Sequence, residues 1–367
     1  SIVLSDENLP ALAIFNIIDF AHAFSSEYLS CQPKTYYNDP CTNYSLLKDN
    51  TFMNYYMAPM EGLTTYIFRN AFHQYYGGID KYFTPFLCNR HMSSREKNDI
   101  LPEHNRGMCT IPQILTNKAE DFLSLCQDLS SYGYDTVNLN LGCPSGTVVA
   151  KGRGAGFLSC PDELDAFLDE IFSRCPLSIS IKTRIGMEQE SEWETLLSLY
   201  QKYPIAELII HPRLQKEGYG GTPHLSAYKR AEEMLSCPLC YNGDIISPAT
   251  QEKTLKTLPG IKTIMLGRGL LKNPLLPALL RQENTDPSTL KSFHDTILDG
   301  YLSIMSGDMN TLYKMKDLWT FFGQSFDGAE KYLKAIRKAR TVTDYRLAVN
   351  AIFRTCRVIL PAPSDPW

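Results

Sequence analysis

The chain has no apolar run that reaches the length of a membrane-spanning helix, about 20 residues. The nearest candidate, Leu9–Phe24, is broken by Asn16 and Asp19, and Asp6 and Glu7 stand where a secretion signal needs positive charge. Neither a membrane span nor a cleaved leader is expected. A surplus of positive charge is missing too: 36 Lys+Arg against 40 Asp+Glu give a net charge of −4. The whole chain therefore does not draw nucleic acid to itself, although a local basic face remains open. Cysteine is present, at 11, but the count is odd and the spacing follows no disulfide framework. Most of these residues stand beside apolar neighbours, as reduced thiols in a cytoplasm do. Cys237 and Cys240 form a C-x-x-C without a second pair, so no zinc or other metal site is expected. With 44% hydrophobic and 21% charged residues, disorder and collagen-like structure are excluded.

The 367 residues would serve more than two ordinary domains, but an eight-stranded β/α barrel alone takes roughly 250. A barrel with a smaller module fits that length. From Asn54 onward eight short β-rich runs alternate with helical patterns: Asn54–Pro59, Lys81–Phe86, Thr110–Thr116, Thr136–Gly142, Leu177–Gly186, Glu207–Pro212, Pro238–Ile245 and Thr263–Leu270. Leu208-Ile209-Ile210 and Ile264-Met265-Leu266 are continuous apolar stretches, as parallel strands covered on both faces require. Pro161–Arg174 carries Leu164, Phe167, Leu168, Ile171 and Phe172 at helical spacing, with Pro161 suited to the first helical position. Ala119–Tyr132, Ser191–Tyr203, Leu225–Leu235 and Pro248–Leu258 read as helices in the same way. The expected fold is α/β, a TIM (β/α)8 barrel over residues 53–287 followed by a C-terminal all-helical domain over 288–360. In that second part Ser292–Met305, Met309–Phe322, Glu330–Ala339 and Asp344–Cys356 read as helices. Between Lys291 and Leu360 there are 11 Lys/Arg and 7 Asp/Glu, a net of +4, so the charge is unevenly shared.

A barrel of this class carries its active site at the C-terminal ends of its strands. Here those ends are unusually polar: Met57-Ala58-Pro59-Met60-Glu61-Gly62, Pro112-Gln113, Asn138 through Pro144, Lys182-Thr183-Arg184, His211-Pro212-Arg213, Asn242-Gly243-Asp244 and Gly267-Arg268-Gly269. Alone, Lys182 reads equally as a buried ion-pair partner and His211 as a core histidine. Seven such elements on one rim point to a site. Gly243 and Gly267-Arg268-Gly269 match the barrel phosphate site, where glycines admit backbone N–H groups and a guanidinium adds paired hydrogen bonds. A phosphorylated ligand follows, and flavin mononucleotide (FMN) suits it. Lys182 can offset negative charge on the reduced ring, Gln113 and Asn242 can read its polar edge, and Pro59 and Met60 can pack against it. Gly152, Gly154 and Gly156 suggest a dinucleotide loop, but Phe157 stands where G-x-G-x-x-G needs its third glycine, and that reading is set aside.

Taken in order and spacing, Met57–Gly62, Asn140-Leu141-Gly142-Cys143-Pro144, Lys182-Thr183-Arg184, Asn242-Gly243-Asp244 and Gly267-Arg268-Gly269 resemble the motifs of the tRNA-dihydrouridine synthases. The likeness runs from about Asn54 to Phe353. It implies an FMN barrel with a helical RNA-binding domain that uses NADPH to reduce particular uridines of tRNA to 5,6-dihydrouridine. It places the family's catalytic cysteine on Cys143 and its flavin contacts on Gln113, Lys182, His211, Asn242, Asp244, Gly267 and Arg268. Asn140 falls near the flavin and the target base. In the sixth motif the family often reads His-x-Arg-Thr-Arg-x-Gln-x-Tyr, whereas here Leu214, Gln215 and Glu217 stand at the fourth, fifth and seventh places, which puts RNA contacts of that loop in doubt.

The implied reaction passes hydride from N5 of reduced FMN to C6 of uracil and a proton from Cys143 to C5; a thiol with a reference pKa of about 8.5 is mainly protonated at neutral pH. A uridine in folded tRNA must leave its stack to reach a barrel mouth. Lys151 and Arg153 are placed to meet phosphates near that base, and Lys331, Lys334 and Lys338 share one helical face. The expected partner is tRNA, with no membrane or metal, for a monomeric cytoplasmic enzyme. Two rivals stand beside this reading: a small-molecule FMN oxidoreductase of the dihydroorotate or dihydropyrimidine dehydrogenase type, and a non-catalytic tRNA-binding protein. Residues 1–52 lie outside the resemblance and carry a net of −4, from six Asp/Glu and two Lys. Met53 is the expected functional start, with a helix at Ala11–Phe24 packed on the barrel as the alternative.

Overall fold

The computed structural model describes residues 53–359, and the expectations for residues 1–52 lie outside them. Eight parallel strands close into a barrel in sequence order: β1 (Asn54–Met57), β2 (Lys81–Leu87), β3 (Thr110–Ile114), β4 (Thr136–Leu141), β5 (Ser178–Arg184), β6 (Leu208–His211), β7 (Leu239–Tyr241) and β8 (Thr263–Leu266), with β8 pairing back onto β1. All eight expected strands are present. β7 stops four residues short of the sequence expectation because the chain turns at Asn242-Gly243-Asp244, where Asp244 takes a φ of +40°.

The helices around and beyond the barrel are α1 (Tyr66–Tyr75), α2 (Ser94–Ile100), α3 (Ala119–Ser131), α4 (Gly146–Val149), α5 (Pro161–Arg174), α6 (Glu192–Tyr200), α7 (Leu225–Met234), α8 (Pro248–Thr257), α9 (Arg268–Lys272), α10 (Leu276–Leu280), α11 (Thr289–Ile304), α12 (Asp308–Phe322), α13 (Glu330–Lys338) and α14 (Val342–Thr355). α5 shows how sequence makes them: Pro161 opens it, and Leu164, Phe167, Leu168 and Ile171 form the stripe it buries. α2 has no such stripe, because its inward positions are Glu96, Asp99 and Ile100. Glu96 closes a capping box with Ser93, and Asp99 pairs with buried Arg69. Among the described residues no helix is long and apolar enough to cross a membrane.

Inside the barrel, Tyr56, Phe83, Ile111, Ile209, Cys240 and Met265 form an apolar plug. Glu207 accepts hydrogen bonds from Tyr56 Oη at 2.8 Å and Lys81 Nζ at 2.9 Å. The helices after residue 287 share the outer core with the barrel. Phe293 of α11 is fully buried and meets Phe68 and Phe72 of α1 edge-on at 5.6 and 6.4 Å. Tyr301 and Thr65 join their hydroxyls at 2.8 Å, and Lys314 Nζ donates to Gly62 O at 3.3 Å. Burying a phenylalanine contributes about 1.5–3 kcal/mol, so this seam is strongly held. A two-residue antiparallel pair, β9 (Phe326–Asp327) with β10 (Arg357–Val358), ties α12 to the end of α14. Eight of the described cysteines, Cys237 and Cys240 among them, are free thiols. Cys109 is disulfide-bonded, which corrects the expectation of uniformly reduced cysteines.

Candidate active site

The strand ends enclose a cavity of about 290 Å³. Pro59, Met60, Asn140, Cys143, Lys182, His211, Asn242, Gly243, Asp244, Gly267 and Arg268 all line it. Strand periodicity explains how. Residues two apart share a face, so Asn138 and Asn140 of β4 and Ser180, Lys182 and Arg184 of β5 all point inward, with Asn140 registered against Lys182. Gln113 of β3 bonds to this wall from the neighbouring strand. It is fully buried, donates from Nε2 to Asn138 Oδ1 at 2.7 Å and accepts from Asn140 Nδ2 at 2.8 Å.

Cys143 sits in the turn after β4. Its N–H and that of Gly142 donate to Asn140 Oδ1 at 2.9 and 3.1 Å. Of the glycines beyond it, Gly154 packs against that turn. Gly154 has φ +56°, and a Cβ there would come within 2.9 Å of Cys143 O. Burial pushes the thiol above its ordinary value, with Glu61 adding to it, against the Ser145 N–H, Lys182 and Arg184, which pull it down.

Five positive or neutral bases crowd the rim. Lys182 is driven down to about 8, first by burial and then by Arg184, and among the described residues it forms no ion pair with a carboxylate. His211 is held well below its usual range by burial and by Lys182, Arg184, Arg213 and Arg268. Its Nε2 lies 3.1 Å from Arg213 Nη1, which can only donate, so Nε2 accepts and the neutral ring carries its proton on Nδ1. Asp244 accepts from buried Arg213 and from Arg268 Nη2 at 2.6 Å.

Arg184 and Tyr219, to which the sequence motifs assign no individual role, belong to the site as well. Arg184 is fully buried and donates to Gly142 O at 3.0 Å, Leu214 O at 2.9 Å and Gly218 O at 2.6 Å, joining the Cys143 turn to the loop after β6. Gln215, at the place of a family arginine, reinforces that join through Pro144 O at 3.2 Å. Tyr219 lines the cavity with its ring 4.8 Å from the Arg268 guanidinium and 5.5 Å from that of Arg184. The i+2 step from Lys182 was the available signal for Arg184. Lys151 and Arg153 do not line the cavity; Lys151 is exposed, and Arg153 Nη1 donates to Cys88 O at 3.3 Å. Lys331, Lys334 and Lys338 are exposed on α13, with Ile336 buried beneath.

A closed parallel barrel with a thiol, a lysine, a neutral imidazole and a glycine-arginine cradle gathered at the C-terminal rim defines a β/α-barrel enzyme. The chain belongs to the dihydrouridine synthase family, whose model matches residues 56–355. It is similar to the tRNA-dihydrouridine(16) synthase of Neisseria meningitidis, at 25% identity over 80% of this chain and 93% of that protein. A probable tRNA-dihydrouridine synthase of Staphylococcus aureus is 28% identical over 77% of this chain and 85% of its own length. The tRNA-dihydrouridine(16) synthase of Pseudomonas putida is 28% identical over 59% of this chain and 70% of its own.

Proposed function

We propose that this chain is an FMN-dependent, NADPH-consuming enzyme that reduces particular uridines of tRNA to 5,6-dihydrouridine, with Cys143 delivering the proton to C5. The observation that carries this reading is the Cys143 thiol on the wall of one cavity with Lys182 and a Gly243, Gly267 and Arg268 cradle suited to a flavin phosphate. The residues present fit the cofactor. Lys182 offers a charge without a carboxylate partner, and a Cβ on Gly267 would lie 3.6 Å from Ala58 Cβ and 3.9 Å from Met60 Sδ, so a side chain there would enter the cavity.

When bound, FMN reduced by NADPH supplies the hydride equivalent for C6 of uracil. Pro59 and Met60 would pack on its ring, Asn242 would meet its polar edge, and Gly243, Gly267 and Arg268, with Asp244 holding Arg268, would take its phosphate. Lys182 balances negative charge at the site. Asn140 keeps the Cys143 turn in place, and the thiol gives its proton to C5, leaving a thiolate that solvent reprotonates. Lys151 and Arg153 near the mouth and Lys331, Lys334 and Lys338 on α13 would meet tRNA phosphates, residues 53–287 serving catalysis and 288–360 RNA binding. We place a monomeric enzyme in the cytoplasm, where its substrate is.

Purified protein tests this directly. It should be yellow, oxidise NADPH, and convert uridine to dihydrouridine in tRNA taken from cells that lack the gene. A colourless protein that binds tRNA without turnover would make it a binder, and reduction of free pyrimidines but not tRNA would make it a small-molecule reductase.

A further inference from the structure

We propose that the loop from Cys88 to Ser93, between β2 and α2, is a clamp for RNA phosphates beside the cavity mouth, with Arg90 as its working cation. The loop leaves the C-terminal end of β2, so the barrel sets it on the rim where the strand ends gather. Phe86, two residues before it, lines the cavity. One carboxylate builds the loop. Glu96 Oε1 accepts from the Cys88 N–H at 3.0 Å, and Oε2 accepts from the Ser93 N–H and hydroxyl at 2.8 and 2.7 Å. Both ends are thus pinned to one buried group, and Asn89, Arg90 and His91 stand exposed between them.

This construction decides which charge the loop shows to solvent. Residues 88–97 hold three Lys/Arg and one acid, a net of +2 in a chain of −4. The acid is Glu96, whose oxygens are taken up by the loop's own donors, so the outward charge is positive. Arg95 meets Glu61 at 2.8 Å, and Glu61 lines the cavity. Arg90 has no such partner: among the described residues it forms no ion pair or hydrogen bond. A guanidinium carried on a pinned loop and left without an anion suits phosphate, whose oxygens match its paired donors. Arg153 Nη1 donates to Cys88 O at 3.3 Å, which joins the loop to the segment that follows the Cys143 turn. Cations therefore link the Cys143 side of the mouth, through Arg90, to the Glu61 corner. A uridine drawn from its stack into the cavity leaves its flanking phosphates at the rim, and cations there hold the backbone while the base is inside.

The inference rests on tRNA being the substrate, and the two are tested apart. Affinity for tRNA is measured from about 0.1 to 1 M salt with flavin-loaded native, Arg90→Gln and Arg90→Lys proteins. One phosphate contact carries a slope of about 0.7–0.9 in log affinity against log salt. Arg90→Gln should flatten the slope by about that much, weaken binding about four- to fivefold near 0.15 M and leave it native near 1 M. Arg90→Lys keeps the charge and should keep the slope. Flavin content should be native in both, because the side chain touches no packed neighbour. Near-ultraviolet cross-linking of tRNA carrying 4-thiouridine, followed by peptide mass spectrometry, should mark residues 88–97. An unchanged slope in Arg90→Gln, the same flattening in Arg90→Lys, or cross-links confined to α13 would overturn the clamp. So would native protein that holds anionic phospholipid vesicles in this salt range but not tRNA. tRNA bound with an Arg90-dependent slope yet never reduced would support the clamp and remove the proposed reaction; reduced tRNA with an Arg90-independent slope would do the reverse.

Discussion

Cys143→Ala removes one sulfur from the cavity wall and leaves the turn standing, because Asn140 holds it by the backbone N–H groups of Gly142 and Cys143. The thiol lies above its ordinary value through burial. Against a reference of about 8.5, such a group is at least about 97% protonated at pH 7, so the acid is always in supply. Its loss should cost the whole contribution of a general acid, about 10²- to 10⁴-fold, or roughly 2.7–5.5 kcal/mol of barrier. Flavin reduction by NADPH needs no proton at C5 and should stay within about twofold of native. The assay is single turnover under anaerobic conditions: the flavin is reduced, excess NADPH is removed, tRNA is mixed in, and reoxidation is followed by flavin absorbance. In the native enzyme this step should slow as pH rises through the raised thiol pKa, because the proton donor is lost; the alanine variant should lack that alkaline limb. Reoxidation at near-native rate, or an alkaline limb that survives in Cys143→Ala, would refute the assignment.

Replacing Lys331, Lys334 and Lys338 together by Gln should weaken tRNA binding and reduce the slope of log affinity against log salt by up to about 2.7, without changing flavin content; an unchanged slope takes α13 out of the interface. Lys182, lowered to about 8, loses its charge as pH rises through that value. FMN affinity, read by fluorescence quenching, should then decline above pH 8 by at most tenfold per pH unit, whereas the flavin-free protein should gain stability over the same window, since an unfolded lysine stays charged to about 10.4. A pH-independent affinity between 7 and about 9.5 would contradict it. Gly154→Ala forces a side chain into left-handed backbone and against Cys143 O at 2.9 Å, which should cost about 2–5 kcal/mol. A thermal melt with native Tm would show that the turn yields.

The architecture was legible because parallel strands covered on both faces leave apolar runs such as Leu208-Ile209-Ile210, and because the barrel sends its chemistry to strand ends that can be read in order. What escaped the reading depends on partners far apart in sequence. Arg184 looked like one more rim cation, yet its worth lies in three backbone carbonyls of two loops, which no local pattern encodes. Gln113 was read for its amide; the neighbours that share that amide depend on the register of β3 against β4, Gln113 opposite Asn138. Gly154 and Gly156 carried a real signal of close backbone approach, but the surfaces approached are the Cys143 turn and the backbone of Val149. α2 went unseen because its buried positions are acidic, and β9 with β10 because two residues cannot show a period.

The aromatic seam around Phe293 sets more than stability. Its far side is α1, the helix that leaves directly from the Met60-Glu61-Gly62 corner of the cavity, and Lys314 holds the carbonyl of Gly62 from the other side. The basic helix and the mouth share one packed core, like the two jaws of a caliper. On the proposed function, an RNA gripped at Lys331, Lys334 and Lys338 can offer the mouth only the nucleotide that falls at the caliper's span. A different target base would then call for a different hinge line between α1 and α11, with the chemistry of the cavity left untouched.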